Sequence, residues 1–442
     1  MGNRGSFGEG RWRRRASAVA VTVAIAAAAG PVAAGGPARG AVVRSAAIPA
    51  DRVYPILVGG ENAAGTAFLT EIGPTWQVAV KLPNPASNLG FGLGDVVITP
   101  NGKYAYAAVG DIMAQIGGVN TAHPKVTSTV KQGGQVGRIA LTRNGAYAYV
   151  SVTTGTYPHM TGIVRVYSGV SSGKPKLIAT VKPGGEVGEV TFTPNGAYAY
   201  VSVTAGTYPD TTGIVRAYSG VSSGKPRLVT SVSLGAGSPG SLALTPDGRY
   251  GYVSSGGILY VAVLQQISGI GTARLKVDWT DDDAGTRASG VWGVTPNGKY
   301  VYFVGGPAAY GSIDIYKTRT ARPALVKGFG FDAGPLLLMA PGARWAYAGL
   351  SFLNGTSTIK VISGPQSAPK LAGTARLPHG ALPEVMQPDG AYGYGASWSD
   401  AGLGNPSWVV AFSGASTGHL TGATSWKLPY QVTRIEVSPV RT

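Results

Sequence analysis

Short runs of alternating apolar and polar residues, broken by Gly-rich joints, fill this chain from Asp51 onward. One stretch shows the unit clearly. Val187 to Thr193 (VGEVTFT) ends at Pro194-Asn195-Gly196, and Ala197 to Val203 (AYAYVSV) follows with strict period two. Gly213 to Tyr218 (GIVRAY) and Arg227 to Val232 (RLVTSV) complete the set. Period-two runs rich in Tyr and Val, with no helical periodicity, predict four strands, and Asn-Gly predicts a tight turn between the first two.

The unit recurs. Its turn positions are Gly102, Gly145, Gly196, Gly248, Gly298, Ala343 and Gly390, separated by 43, 51, 52, 50, 45 and 47 residues. Four antiparallel strands at this period predict an all-β chain with one blade per repeat, a β-propeller. Eight first strands can be counted, ending at Thr99, Thr142, Thr193, Thr245, Thr295, Ala340, Gln387 and Ser438. The last, Thr433 to Ser438, has no strands after it. Val53 to Val58, Thr66 to Ile72 and Trp76 to Leu82 supply the missing three, so both ends of the chain share one blade. The expectation is eight blades, with seven if that shared blade fails to form. A closed ring leaves no long open sheet edge.

The repeated phrase (TPNGKYAYAAV from Thr99, FTPNGAYAYVSV from Phe192, VTPNGKYVYFVG from Val294) resembles the YVTN-type repeat of lactonase-like propellers over roughly residues 52–440. That resemblance implies the propeller fold. It also implies a family holding binding proteins, structural surface proteins and some enzymes. Residues 144–175 and 195–226 are near-copies, which a duplication explains.

Composition changes the picture in three ways. Residues 1–34 pair a basic stretch (Arg11, Arg13, Arg14, Arg15) with the apolar run Ala16 to Ala29 and end in Val32-Ala33-Ala34. This reads as a secretory signal peptide, using general secretion or the twin-arginine route. Residues 35–51 read as a flexible linker and 52–442 as the propeller. The apolar run is too short for a membrane span. The chain has no cysteine, so neither disulfides nor a thiol-linked lipid is expected. The formal charge is +17, and residues beyond 34 hold 32 Lys/Arg against 19 Asp/Glu. That excess favours anionic surfaces. No basic cluster interleaved with aromatics appears beyond the leader, which excludes a nucleic-acid footprint.

Candidate chemistry lies on the first strands, which line a propeller's channel in this reading. Four residues before each strand end stand Asp95, Arg138, Glu189, Ser241, Val291, Leu336, Pro383 and Arg434, expected to face the channel. The next positions, Val96, Ile139, Val190, Leu242, Trp292, Leu337, Glu384 and Ile435, are expected to pack between blades. In ring order Arg434, Asp95, Arg138 and Glu189 alternate in charge. They form either a self-neutralising arc or a polar site for a small charged ligand. Glu384, which breaks the apolar pattern, and Glu436 join the candidates. The metal candidates are Asp281-Asp282-Asp283, and His159 with Asp210 at matching positions of the two near-copies, where Ca2+ or Mg2+ could be held. No cofactor fingerprint is present.

These features predict a secreted, non-enzymatic and monomeric β-propeller. It would bind an extracellular protein, a cell-wall polymer or a small charged ligand. The alternative is a lactonase-like hydrolase or propeller lyase acting at the channel mouth.

Overall fold

The computed structural model describes residues 54–440 apart from 63–65, 74–76, 84–92, 156–158, 208–209, 257–261, 282–289, 306–310, 319, 321, 332–335, 352–356 and 398–405. The expected leader and linker lie outside the described residues, as do Val53, Trp76, Asp282 and Asp283.

Thirty-two strands, β1–β32, form eight four-stranded antiparallel sheets among the described residues. Seven blades follow chain order: β4–β7, β8–β11, β12–β15, β16–β19, β20–β23, β24–β27 and β28–β31. We number them blades 1 to 7. Their first strands are β4 (Leu93–Ile98), β8 (Gln135–Leu141), β12 (Glu186–Phe192), β16 (Ser238–Leu244), β20 (Gly290–Val294), β24 (Leu336–Met339) and β28 (Ala381–Met386). The closing eighth blade has the order β3-β2-β1-β32. It joins β1 (Ile56–Glu61), β2 (Ala67–Ile72) and β3 (Gln77–Lys81) to β32 (Gln431–Val437). Its register pairs Ile56 with Val437, Leu57 with Glu436 and Val58 with Ile435. No helix among the described residues is long and apolar enough to cross a membrane.

Each turn between first and second strands is wired by its own residues. In blade 1 the Thr99 hydroxyl donates to Asn101 Oδ1 and accepts from the Tyr104 N–H, while Asn101 Oδ1 also accepts from the Lys103 N–H. Gly102 takes φ +68°, which L side chains rarely adopt. This explains why Thr, Asn or Asp, and Gly recur together.

The cores sit between blades, one cluster per interface. Blades 2 and 3, for example, share Tyr149, Val164, Val190, Val201 and Val221. The first strands of neighbouring blades lie side by side, β4 against β8, β8 against β12 and β32 against β4, so they form the inner wall.

Most first strands carry a β-bulge. In β8, Gly137 and Arg138 together oppose Ser151, and in β12 Gly188 and Glu189 oppose Ser202. The serine hydroxyl accepts the bulge N–H of Arg138 (2.8 Å) or Glu189 (2.9 Å). A Cβ on Gly188 would fall 2.6 Å from Ser202 Oγ, so the close approach requires glycine.

The bulges correct two of the expected faces. In β20 and β28 the extra residue comes one place later, at Trp292 and Glu384. Val291 and Pro383, expected in the channel, are therefore buried. Glu384, expected between blades, is the bulge residue itself and only half-buried. Aligned by bulge, Leu-Pro-Glu384-Val385 matches Leu-Gly-Asp95-Val96 and Val-Gly-Arg138-Ile139.

Candidate functional site

Five charged side chains from four adjacent inner strands meet on the channel wall: Glu384 (β28), Arg434 and Glu436 (β32), Asp95 (β4) and Arg138 (β8). Their neighbours on the opposite face, Val96, Ile139 and Ile435, are buried and anchor the strands.

Asp95 is the pivot. It is buried, and its Oδ2 accepts the Ile139 N–H at 2.9 Å, tying blade 1 to blade 2. Its Oδ1 has no hydrogen-bond partner among the described residues but faces two guanidiniums, Arg138 Nη1 at 3.8 Å and Arg434 Nη2 at 3.7 Å. The buried carboxylate stands between the two cations and offsets the repulsion they would otherwise feel.

Arg434 is oriented from the other side. Glu436 Oε1 accepts from its Nε at 2.9 Å and lies 2.8 Å from Nη2. Burial works against the charge of Arg434, but Glu436, Asp95 and Glu384 outweigh it and hold the guanidinium protonated. Its side chain remains 42% exposed, and the guanidinium has N–H groups beyond those given to Glu436. Arg138 is the more exposed of the two, at 53%.

Burial pushes the Glu384 carboxyl up to about 7, against the opposing pull of Arg434 and of the Ala396 backbone N–H. Glu436 is also raised by burial, with Arg434 pulling it back. A carboxyl poised near neutrality beside a fixed cation is a combination suited to moving protons.

The predicted arc is thus formed in part. Arg434, Asp95 and Arg138 come together, with Glu436 and Glu384 around Arg434. Glu189 does not join: it is half-buried on β12, and no ion pair ties it to Arg138 among the described residues. Glu384 entered the candidates as a charge in an apolar position; the signal for its face is the bulge tetrad, which counting back from the strand end passes over.

Three of the five metal candidates lie among the described residues. His159 and Asp210 are exposed at the hairpin tips of their blades, and Asp281 is half-buried at the end of β19 (Lys276–Asp281). Among the described residues no three His, Asp or Glu side chains are grouped to hold a metal ion. A groove of about 650 Å3 lies elsewhere, on the outer wall between blades 5 and 6, lined by Lys327, Lys360, Lys370 and Phe329. It contains no carboxylate or histidine and offers no acid–base pair.

No protein-family profile and no curated protein matches the chain. Solved structures do. A candidate 6-phosphogluconolactonase from Bacteroides uniformis is 15% identical, with TM-score 0.52, covering 73% of this chain and 96% of that one. A second, from Bacteroides fragilis, is 14% identical, with TM-score 0.50, covering 72% and 93%. The dihydro-heme d1 dehydrogenase NirN is 15% identical, with TM-score 0.55, covering 90% and 78%. The expectation of a non-enzymatic binding module is not what these neighbours support: two of them are candidate 6-phosphogluconolactonases and the third is a dehydrogenase. At such identity the likeness itself establishes the fold: an eight-bladed propeller similar to lactonase-like propellers.

Proposed function

We propose that the protein is a lactonase-like hydrolase whose site is the charged wall around Arg434. The observation that supports this best is the placement of one partly exposed guanidinium, fixed by Glu436 and Asp95, beside the half-buried Glu384. In this reading a sugar lactone enters the channel with its carbonyl oxygen toward Arg434. Glu384 takes a proton from water as the water oxygen bonds to the carbonyl carbon. Arg434 stabilises the negative charge gathering on the carbonyl oxygen. The carbon–oxygen bond of the ring then breaks, and the ring oxygen leaves with the proton returned by Glu384. One water is consumed and one hydroxy acid is formed. Arg138, the most exposed cation of the group, suits an anionic substituent on the sugar. The YVTN-type repeat assignment and export through residues 1–34 belong to the same proposal.

The test is acid release from gluconolactone and 6-phosphogluconolactone, corrected for spontaneous hydrolysis. Glu384 acts as base only when ionised, so kcat/KM should rise with pH through about 7. Glu384→Gln should lower it about 100-fold and flatten that rise. No acceleration with either lactone would overturn the proposal.

A further inference from the structure

Neighbouring blades are tied by a buried tyrosine of the second strand. The Tyr106 hydroxyl donates to the Val170 carbonyl in the next blade's turn between third and fourth strands, at 2.8 Å. Tyr149 reaches Val221, Tyr302 reaches Pro365 and Tyr347 reaches Ala415 in the same way. Tyr200 accepts from the Gly271 N–H, and Tyr252 acts through Gln266, whose amide donates to the Thr320 carbonyl. Tyr394 donates to the Tyr54 carbonyl of the closing blade.

The closing blade differs. Register places Leu57 where the others carry this tyrosine, because Glu436 pairs with Leu57 as Val97 pairs with Tyr106. Leucine has no hydroxyl. Its cross-strand partner on β2 is Glu71, fully buried at 0% exposure. Blades 1 and 4 carry glutamine at that position (Gln115, Gln266). The other five carry Val166, Ala217, Ile315, Val361 and Ala411. Glu71 Oε1 accepts the backbone N–H of Asn120, in the corresponding turn of blade 1. Asn120, at φ +67°, donates its side-chain amide to Gly102 O (3.0 Å) and Ser438 Oγ (2.8 Å), joining blade 1 to the end of β32. Glu71 Oε2 and Asn120 Oδ1 are both buried without a hydrogen-bond partner among the described residues.

We propose that Glu71 is a protonation-dependent latch, standing at the ring's closing seam in place of the tyrosine hydroxyl used between the other blades. Ionised, it would bury a charge with only one N–H to compensate; protonated, it seats like the glutamines of blades 1 and 4.

Its surroundings leave the proton as the variable. β1 presents Leu57 and β3 presents Val78. Titratable groups on the packed elements are Glu61 at the far end of β1, Glu436 beyond Leu57 on β32, Lys81, Lys103 and His123. The last three are exposed. None of these sets the ionisation of Glu71: burial raises it to about 7, and the Asn120 N–H opposes. A carboxyl raised in the folded state above its usual 4.5 stabilises fully below that value and loses its contribution as pH rises through about 7. The seam is therefore tighter in acid and looser in alkali.

Thermal unfolding and amide exchange of the full chain test this. At about pH 5, wild type and Glu71→Gln should melt together. At about pH 8.5, Glu71→Gln should melt about 4 °C higher. In wild type alone, exchange corrected for its intrinsic pH dependence should quicken on β1 between these pH values. It should not quicken on β13 (Tyr198–Thr207), whose seam is tied by Tyr200. This internal comparison holds even if the variant fails to fold. Parallel melting profiles for the two proteins, or equal quickening on both strands, would overturn the latch. So would Ca2+ restoring the wild-type melting temperature at pH 8.5, which would mark Glu71 as a cation ligand.

Discussion

Ala343 stands where six other turns have glycine, and it adopts φ +44° to do so. Its N–H still donates to Ala340 O at 2.8 Å, as Gly102 donates to Thr99 O, so the turn forms despite the Cβ. A left-handed conformation costs an L residue roughly 1–2 kcal/mol, partly offset because alanine restricts the unfolded chain. Ala343→Gly should therefore stabilise the protein by about 0.5–1 kcal/mol in denaturant titration. Unchanged or reduced stability would show that the surrounding residues have absorbed the strain. The same residue scale holds what the sequence concealed about the site. Asp95, Arg138 and Arg434 were legible from strand-end spacing, because their bulges sit at equal distances from the turn. Glu384 was legible as a charge that breaks the apolar pattern, but its face was not, since its bulge lies one residue nearer the turn and reverses which neighbour faces the channel. Glu189 sits at the expected bulge but makes no ion pair with Arg138 among the described residues: alternating sign in ring order carries no information about distance, and side-chain reach decides which charges pair.

At the scale of strands and turns, the Tyr ladder does more than fill space. Packing was legible from AYAYV, but the second Tyr of each phrase also reaches into the next blade. In five of the seven blades that hydrogen bond spans 63 to 72 residues of chain and leaves no local signature. Tyr149→Phe should keep the packing and leave the Val221 carbonyl with the Gly224 N–H alone. The expected loss is about 0.5–1.5 kcal/mol, read as a lower urea midpoint at constant m-value. No shift would mean that the Gly224 N–H suffices and the tyrosine tie is incidental. The serines of the second strands behave similarly. Ser151 and Ser202 accept the N–H groups of the bulges that aim Arg138 and Glu189. A Gly followed by a channel residue on one strand and a Ser opposite on the next is the readable form of that device.

At the scale of the molecule, the period and the orphan eighth strand were enough to predict the ring and its closure. The closing pair proved to be β1 with β32, beginning at Ile56. Closure does two things for function. It brings β32 beside β4 and β28, so Arg434 meets Asp95 and Glu384 only when both ends of the chain are in place. It also makes the site depend on one seam, which lacks the tyrosine tie of the others and relies on Glu71. The proposed activity therefore belongs to the closed ring rather than to any blade. The most direct test is kcat/KM for 6-phosphogluconolactone, measured at about pH 7.5 for wild type and Arg434→Ala, with folding of both confirmed by circular dichroism. The account predicts hydrolysis above the spontaneous rate in wild type and a loss of about 100- to 1,000-fold in Arg434→Ala, the range seen when a single oxyanion donor is removed. Equal rates in the two proteins would contradict it.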